Sequence, residues 1–446
     1  MNERPALPLL VGEIFVYVTV TARGVENKMR LGGIVHAARG FWALGVPFAA
    51  AVFLPKYLER SAQRYLAELG CQKFIVFGEV SGAPNVMLIF DPTEVDDQEY
   101  ETLLRDEKIV KLTEGISTKE FVEFADALVF PGTYELSAVC ELLPTSLRLH
   151  IDAAYDVQSV EQLKGLHRPI STIFISTSSK LFEQTGASGI AELSANFATL
   201  NLDAIILKEN RGGSRLHIYS NNQVLEIPAQ LGSTVNSVGV GDVFDATYLA
   251  HLDRGPKEAA WRAASASSAY AQTTFPDVFK NDVRRDSMLT LQEREDLGGT
   301  FLPWEERATC QIYLAAPDFE NADRSAIERA VSALKYHNFN VRRPVAENGE
   351  LPPDSDLNLV NATYRKDVDL LKASQVVFAV PTGRDPGTLV EVGLAIAWGI
   401  PVVIYDAVGE CANTMLIAGS DCYSRNLDEC LNATFVCLSQ SRVSAT

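Results

Sequence analysis

Short apolar runs that alternate with amphipathic segments constrain the fold of this chain more than any other feature. In the first part of the sequence the apolar runs cover residues 9–20, 47–54, 73–80, 127–130 and 204–209. Between several of them, segments such as 55–69 and 118–125 carry apolar side chains at helical spacing. Strands that alternate with helices form largely parallel sheets, so this part is predicted to be an α/β domain.

A change of composition divides the sequence. The alanine-rich helical stretch 257–273 ends the first pattern, and the charged segment that follows has a Gly-Gly pair and no sustained apolar period. Strand-like runs then return at 311–316, 339–344, 375–380 and 401–406, with helical patterns at 322–337, 356–373 and 388–398. The sequence therefore predicts three parts: a domain over 1–275, an interdomain connection over 276–309, and a smaller α/β domain over 310–446 that is large enough for its own core.

Charge narrows the classes of partner. The 446 residues include 39 lysines and arginines against 57 aspartates and glutamates, which gives a net charge of −18. Such a surface opposes non-specific attraction to nucleic acid or anionic lipid. A small phosphorylated ligand stays possible, because a few backbone amides can hold a phosphate inside an acidic protein.

Metal, disulfide and membrane signals are weak. The seven cysteines form no CxxC pair and the six histidines form no HExxH motif, so we expect neither a metal site nor a disulfide framework. The first ten residues lack the apolar core of a signal peptide. The uncharged stretch 41–54 is shorter than the roughly 20 residues that span a bilayer. We expect a soluble, cytoplasmic protein without a membrane partner.

A glycine turn that ends in an aspartate is the most informative segment of the first domain. Gly239 and Gly241 flank Val240, and Asp242 begins an amphipathic run. Two glycines at a helix start let backbone amides converge on an anion, and a carboxylate there could accept a proton from a hydroxyl nucleophile. A glycine turn followed by a helix that Asp242 simply caps is the alternative interpretation.

Residues 236–244 (NSVGVGDVF) resemble the D-T-x-G-A-G-D-x-F signature of ribokinase-like (PfkB) carbohydrate and nucleoside kinases, and the resemblance extends over about residues 9–275. It implies a ribokinase-like αβα sandwich that uses ATP and Mg²⁺. By this resemblance Asp242 would be the catalytic base and Gly239, Val240 and Gly241 the anion hole. Asn236 and Lys208, the latter in a strand-end turn, would lie at the nucleotide.

The substrate side of this resemblance is altered. Gly32 and Gly33 resemble the di-glycine hinge near the sugar site, but Tyr17 stands where the family usually has a sugar-binding aspartate. The expected asparagine after the hinge is replaced by His36 or by Ala37, depending on a one-residue gap. The first domain is therefore either a kinase with an unusual substrate or a binding domain that has lost catalysis.

One carboxylate interrupts the apolar segment 387–405 (GTLVEVGLAIAWGIPVVIY) of the second domain. Burial of an unpaired Glu391 would cost several kcal/mol, so the residue needs a partner, a raised pKa or an open cleft. If Thr388 caps the helix, Glu391 lies in the first turn. It is then either a nucleophile for a sugar carbon or a glutamate that only stabilises the helix dipole.

Four ordered motifs surround Glu391 and resemble the nucleoside 2-deoxyribosyltransferases and their N-glycosidase relatives over about residues 310–440. They are Gln311–Phe319 (QIYLAAPDF), Tyr364–Asp367 (YRKD), Asp385–Gly393 (DPGTLVEVG) and Asn413–Met415 (NTM). The resemblance implies a flavodoxin-like, doubly wound parallel sheet that needs no cofactor. The family's aspartate after the second helix is replaced by Gln375, or by Ser374 with a shift.

The same resemblance implies roles for the motif residues. Glu391 would attack C1′ and expel the base, and a covalent glycosyl-enzyme would pass its sugar to another base or to water, as in a retaining glycosidase. Asp385 would position or protonate the base. The substrate pocket would include Tyr313, Asn413, Gly387 and Thr388.

Together the two resemblances predict a two-domain enzyme of nucleoside or nucleotide metabolism. Its second domain would cleave or exchange an N-glycosidic bond, and its first would phosphorylate a sugar or nucleoside. The alternative is a nucleotide- or NAD-depleting effector, for example in defence, whose kinase-like domain is a catalytically degenerate sensor or partner-binding module. Both families imply a homo-oligomer.

Overall fold

The computed structural model describes residues 7–20, 28–96, 100–319, 323–352 and 354–445. The chain divides into two compact units. The first contains Met1–Thr93, Gln98–Gln230 and Thr234–Gly299, and the second contains Glu94–Asp97, Leu231–Ser233 and Thr300–Thr446. Most of the expected connection is helical and belongs to the first unit.

The first unit is built on a 13-stranded, largely parallel sheet. Its strands are β1 Leu9–Thr19, β2 Lys28–Gly33, β3 Phe48–Leu54, β4 Cys71–Ser81, β5 Val86–Ile89, β6 Glu101–Thr102, β7 Ile109–Leu112, β8 Asp126–Val129, β9 Arg148–Asp152, β10 Thr172–Ser176, β11 Ala204–Lys208, β12 Ser214–Ile218 and β13 Gln223–Ile227. The main order is β13-β12-β11-β10-β9-β8-β1-β3-β4-β7. The strands from β11 through β4 along this order run parallel, and antiparallel strands complete both ends.

The helices of the first unit are α1 Val35–Leu44, α2 Glu59–Glu68, α3 Leu136–Leu142, α4 Val160–Lys164, α5 Lys180–Thr185, α6 Ile190–Phe197, α7 Val240–Ala250, α8 Pro256–Ala271, α9 Pro276–Ser287 and α10 Leu291–Leu297. α7 packs against α1 at a point where a methyl group on Gly40 would lie 3.2 Å from the methyl group of Ala246. This close approach brings the segments that contain Gly32 and Asp242 to one region. The predicted helix at 118–125 is limited to a 3-10 turn, Thr118–Phe121.

β1 takes part in two layers. Residues 9–13 pair with β3 inside the main sheet, whereas residues 14–19 pair with the antiparallel β2. β5 joins β1 beside that second half, and β6 pairs with β5. The small layer places Tyr17 directly opposite Arg30 on neighbouring strands.

The second unit has a five-stranded, entirely parallel sheet. Its elements are α11 Trp304–Arg307, β14 Gln311–Ala315, α12 Ser325–Tyr336, β15 Asn340–Arg342, α13 Pro344–Asn348, α14 Leu357–Ala373, β16 Val376–Ala379, α15 Pro386–Trp398, β17 Val402–Tyr405, α16 Thr414–Gly419, β18 Cys422–Ser424 and α17 Leu427–Ala445. The order β15-β14-β16-β17-β18 is the 2-1-3-4-5 order of flavodoxin-like sheets. The predicted α/β fold class is confirmed for both units.

Successive side chains of β14 point to opposite faces of this sheet. Ile312 and Leu314 join the core with residues of α12 and α17, whereas Tyr313 and Ala315 join the core with residues of α14 and α15. Helices on both faces explain why the strands are apolar throughout. The register of β14 therefore sends Tyr313 toward α15, which carries Glu391.

Across the ranges that the structure describes, none of the helices combines the length and the apolar character that a bilayer crossing requires.

Candidate active sites

Glu391 and Tyr313 meet in the second unit. The Tyr313 hydroxyl donates a hydrogen bond to Glu391 Oε1 at 2.5 Å. β14, which carries Tyr313, and β16, which precedes α15, are the neighbouring strands at which the sheet order reverses, and such switch points are where open α/β sheets bind ligands. The pair therefore lies at the sheet position expected of a ligand site.

The environment makes Glu391 titrate near neutrality. Burial raises the pKa of Glu391, the carboxylates of Asp367 and Asp385 raise it further, and the hydrogen bond from Tyr313 opposes them, leaving a pKa of about 7. Burial and the charge of Glu391 raise the pKa of Tyr313 well above its ordinary value, so the phenol stays protonated. Near neutral pH the carboxyl is thus close to its midpoint and the tyrosine is a hydrogen-bond donor.

The cap of α15 differs from the expectation. Asp385, rather than Thr388, is the N-cap residue, and its Oδ2 accepts hydrogen bonds from Thr388 N at 2.7 Å and Thr388 Oγ1 at 2.9 Å. Glu391 is therefore in the second turn, beyond the reach of most of the dipole effect. The interpretation of Glu391 as a first-turn, dipole-stabilising glutamate is wrong.

Gly387 and Thr388 lie at this cap. A methyl group on Gly387 would lie 3.0 Å from Asp385 Oδ2, so the glycine leaves room for the capping carboxylate. Thr388 is 1% exposed and lies one turn before Glu391, on the buried stripe of α15 that includes Val392. Both residues shape the helix start that holds Asp385 near Glu391.

Asp367 belongs to the YRKD motif, but its role at the site was not predicted. It lies on α14, its charge acts on Glu391, and its Oδ1 accepts a hydrogen bond from Asn348 Nδ2 at 2.6 Å. Burial raises the pKa of Asp367 itself. The feature that could have identified Asp367 is its position at the end of the YRKD run, because α14 turns that position toward α15.

The side chains of Asn413 and Gln375 accept hydrogen bonds from backbone amides. Asn413 is exposed and caps α16, with Oδ1 accepting from Met415 N at 2.9 Å. Gln375 Oε1 accepts from the backbone amide of Gln311 at 2.6 Å, where β14 begins. Neither side chain contacts Glu391 within the described ranges of the chain.

In the first unit, Gly239 is the N-cap of α7 and Asp242 is the third residue of the helix. Gly239 has φ +83°, and a methyl group there would lie 2.1 Å from the His36 ring, so both conformation and space require glycine. Asp242 is 5% exposed and does not cap the helix, which rules out that alternative. The Val240 amide donates to Ser237 O at 3.1 Å. The next two amides of the first turn, those of Gly241 and Asp242, have no intrahelical acceptor and could bind an anion.

Asp242 also titrates near neutrality. Burial raises its pKa, the charge of Asp152 raises it further and Lys208 lowers it, giving a pKa of about 7. A carboxylate with this pKa is suited to general-base chemistry at neutral pH.

Lys208 is held by two buried carboxylates. Its Nζ lies 3.1 Å from both Asp245 oxygens and 3.3 Å from Asp152 Oδ2. Burial lowers the pKa of Lys208, but the two carboxylates outweigh burial and raise it overall. Asp245 is fully buried and is an ion-pair partner of Lys208.

The ammonium group also adjoins the glycine turn. A methyl group on Gly241 would lie 3.1 Å from Lys208 Nζ. This places a positive charge beside the start of α7, where a phosphoryl group would meet both the amides and the ammonium. The pairing of Asp152 and Asp245 with that ammonium group was not predicted from the sequence.

Aromatic side chains cover the di-glycine hinge. A methyl group on Gly32 would lie 2.4 Å from the Tyr17 ring, and one on Gly33, whose φ is +67°, would lie 2.1 Å from Glu13 O. The Tyr17 and His36 rings are 5.5 Å apart between centroids. His36 Nδ1 lies within hydrogen-bond distance of the Tyr270 hydroxyl, at 2.7 Å. An imidazole therefore lies at, or next to, the position where the resemblance expects an asparagine.

Asn236 connects the signature turn to β2. Its Oδ1 accepts a hydrogen bond from Arg30 Nη2 at 2.8 Å, and its Nδ2 donates to Val238 O at 3.2 Å. Asn236 is 4% exposed, so both contacts are shielded from water.

Among protein families, the model described as nucleoside 2-deoxyribosyltransferase matches residues 312–429. This match confirms the resemblance inferred from the motifs of the second unit. It contains Tyr313, Asp367, Asp385, Glu391 and Asn413. No curated protein matches the chain.

Solved structures similar to the chain include a ribokinase from Giardia lamblia, with 14% identity, 65% of this chain and 99% of that chain covered and a TM-score of 0.47. A ribokinase from Cryptococcus neoformans var. grubii in complex with ADP is 14% identical, with 64% of this chain and 100% of that chain covered and a TM-score of 0.48. A Burkholderia thailandensis nucleoside kinase in complex with inosine is 15% identical, with 66% of this chain and 98% of that chain covered and a TM-score of 0.47.

Proposed function

We propose that the second unit cleaves or exchanges the N-glycosidic bond of a nucleoside or nucleotide, with Glu391 as the nucleophile. The observation that carries the proposal is the hydrogen bond between Tyr313 and a partly buried Glu391 at the switch point of the sheet. The family match over 312–429 supports the same chemistry.

In the first step the ionised Glu391 carboxylate forms a bond to C1′ while the bond from C1′ to the base nitrogen breaks. The bond electrons leave with the base, which takes a proton. Asp385 and Asp367, whose charges act on Glu391, are the proposed groups that bind and protonate the base. In the second step another base, or water, attacks C1′ and releases Glu391.

The Tyr313 hydroxyl has a separate role in this proposal. It stabilises the ionised form of Glu391 and fixes one carboxylate oxygen, which leaves the other to attack. Asn413, Gly387 and Thr388 are proposed to line the substrate pocket.

For the first unit we propose phosphoryl transfer to a hydroxyl of a small substrate. ATP with Mg²⁺, when bound, supplies the phosphoryl group. The amides of Gly239–Gly241 and the Lys208 ammonium would stabilise its charge. Asp242 would accept the proton of the attacking hydroxyl, for which a pKa of about 7 is suitable. Asn236, Gly32 and Gly33 would shape the surrounding site.

A second candidate function follows from the hinge. The Tyr17 ring lies over Gly32 and the His36 ring lies against Gly239, where the resemblance expects a sugar clamp. This packing favours a first unit that senses a ligand without phosphorylating it, while the second unit depletes a nucleotide or NAD. Toxicity of the expressed chain that Glu391→Ala relieves would support this candidate, and harmless expression would count against it.

The glycosidase proposal is tested by base release from nucleosides, nucleotides and NAD. Glu391→Gln preserves size and hydrogen bonding but removes the nucleophile, so we expect base release to fall by about three orders of magnitude or more. Glu350→Gln, a substitution at an exposed position of the same unit, is the matched control. Undiminished release by Glu391→Gln would refute the proposal.

The kinase proposal is tested by ATP turnover with a panel of sugars and nucleosides. We expect turnover that Asp242→Asn abolishes and Asp253→Asn, a change at an exposed aspartate of the same unit, preserves. No turnover with any acceptor would favour the sensing function.

We also propose that the chain forms a homo-oligomer through the helices around Glu391. Large apolar side chains are exposed on α14, α15 and α16: Tyr364 55%, Val390 57%, Trp398 40%, Met415 78% and Ile417 50%. Exposed apolar residues of this density are typical of protein interfaces. Light scattering should show an assembly that Met415→Glu and Ile417→Glu dissociate, and a wild-type monomer would refute it.

A further inference from the structure

Two guanidinium groups of the first unit donate hydrogen bonds to uncharged side chains. Arg30 donates from Nη2 to Asn236 Oδ1, and Arg39 donates from Nη1 to the Tyr270 hydroxyl at 3.0 Å and from Nη2 to the Tyr65 hydroxyl at 3.0 Å. Within the described residues neither arginine forms an ion pair. Both are only partly exposed.

Other shielded arginines of this unit are satisfied differently. Arg215 pairs with Glu209, Arg262 pairs with Glu258, and Arg168 donates to four backbone carbonyls. Arg30, like Arg168, has a buried Nε for which the described residues provide no acceptor, but Arg30 donates to one amide oxygen rather than to four carbonyls. In a chain with 57 acidic residues and 39 basic ones, a pair of arginines without acids is not due to a shortage of carboxylates.

Both arginines are linked to the signature turn: Arg30 bonds Asn236 directly, and Arg39 bonds Tyr270, which in turn bonds His36, whose ring lies against Gly239. Burial raises the pKa of Tyr270, Arg39 and Arg30 lower it, and Asp242 raises it, so all three charges act on one phenol. Burial likewise raises the pKa of Tyr17, Asp242 raises it further and Arg30 lowers it. Two cations, two phenol rings and the proposed base therefore surround one region of the unit.

Two partly buried positive charges near each other cost free energy unless an anion binds beside them. Burial lowers the pKa of Arg30, the Tyr270 phenol opposes this, and the like charge of Arg39 lowers the pKa further. A doubly charged phosphoryl group would offset burial and the like charge, and could accept from guanidinium N–H groups of Arg30 that Asn236 does not use. A neutral sugar would offset neither.

The residues around the arginines point to the rest of the ligand. A carboxylate at position 17 would repel a phosphate, whereas the Tyr17 phenol, which lies opposite Arg30 on the neighbouring strand, does not. We propose that the first unit binds a phosphate monoester of a pentose, free or within a nucleotide, through Arg30 and Arg39 beside Asp242. This goes beyond the proposed function, because binding does not require phosphoryl transfer.

The experiment is calorimetric titration of the full chain with ribose 5-phosphate and ribose, and with adenosine monophosphate and adenosine. We expect each phosphorylated ligand to bind more tightly than its unphosphorylated counterpart. Arg30→Gln should weaken that binding about 10-fold or more, as loss of a charge-assisted fork does, and Arg30→Lys should restore part of it. Arg64→Gln, at an exposed position of α2, is the charge-matched control and should bind as the wild type does.

Three outcomes would overturn the inference. They are equal affinity for phosphorylated and unphosphorylated ligands, equal affinity of Arg30→Gln and wild type, and no binding of either phosphate at millimolar concentration. Binding by Asp242→Asn separates this inference from the kinase proposal, because that variant should lose phosphoryl transfer yet keep the phosphate site. The two ligand pairs show whether a free pentose phosphate or a nucleotide is preferred.

Discussion

The Tyr313 hydroxyl and the Glu391 carboxylate are coupled so that each sets the protonation of the other. The carboxylate raises the pKa of the phenol, and the phenol donates to the carboxylate and lowers its pKa against the effect of burial. Because β14 fixes the ring and α15 fixes the carboxylate, this coupling depends on how a strand and a helix of one unit pack.

The first prediction concerns pH. The folded pKa of Glu391 is raised to about 7, and the nucleophile must be ionised, so activity should be low below that pH and rise through it. We expect kcat/KM for base release to increase about tenfold per pH unit below neutrality and to level off above it. A rising limb near the ordinary glutamate pKa of about 4.3 would contradict this.

The second prediction concerns Tyr313→Phe. Removal of the hydroxyl takes away the hydrogen bond that lowers the pKa of Glu391, so the rising limb of kcat/KM should move to higher pH. Tyr405→Phe is the control, because Tyr405 belongs to the core on the other face of the same sheet. An unshifted limb with lower activity at every pH would mean that Tyr313 acts on the substrate alone.

The third prediction separates two roles of Asp385. Asp385→Asn retains an N-cap side chain, whereas Asp385→Ala removes it and should cost about 1 kcal/mol of unfolding free energy. If Asp385 also acts on the base, both variants should lose base release while only the alanine variant loses stability. Full activity of the asparagine variant would restrict Asp385 to capping.

The fourth prediction concerns Lys208→Met. Loss of the ammonium leaves the buried Asp152 and Asp245 without their cation, and breaking a buried pair in this way typically costs about 3–5 kcal/mol. The urea midpoint should fall sharply in Lys208→Met and recover in part when Asp245→Asn is added. Lys111→Met, at an exposed position of β7, should leave the midpoint unchanged.

The fifth prediction compares two glycines with similar φ. Gly45→Ala meets no atom within 4 Å and should cost about 1 kcal/mol for its left-handed conformation. Gly239→Ala has the same strain and also drives a methyl group into the His36 ring, so we expect a much larger loss of thermal stability. Equal losses would show that His36 moves away freely.

Much of the fold follows from sequence periodicity. Apolar strands that alternate with amphipathic helices are sufficient to predict parallel sheets, and the GTLVE segment is sufficient to place Glu391 on a helix. The cap of that helix was misassigned because Asp385 and Thr388 are both good capping residues, and only the path of the backbone before Pro386 decides between them.

Contacts between distant segments were not predictable. Lys208 contacts Asp152 and Asp245 because β9, β11 and α7 come together at one place, and no local sequence pattern predicts those contacts. The same holds for Arg30 and Asn236, which are 206 residues apart. Motifs identified candidate groups for chemistry, whereas the partners that tune those groups required the three-dimensional structure.

The contacts of Lys208 have an electrical consequence. Three aspartates near the start of α7 would by themselves make that region strongly negative, but the ammonium group of Lys208 adds one positive charge. Burial raises the pKa of Asp245 well above its ordinary value, and the Lys208 ammonium that pairs with Asp245 opposes the rise. The ammonium offsets part of the charge of the carboxylates it contacts, so the cluster is less negative than three aspartates alone would be. An approaching phosphate would therefore meet less repulsion there than the chain's net charge of −18 suggests.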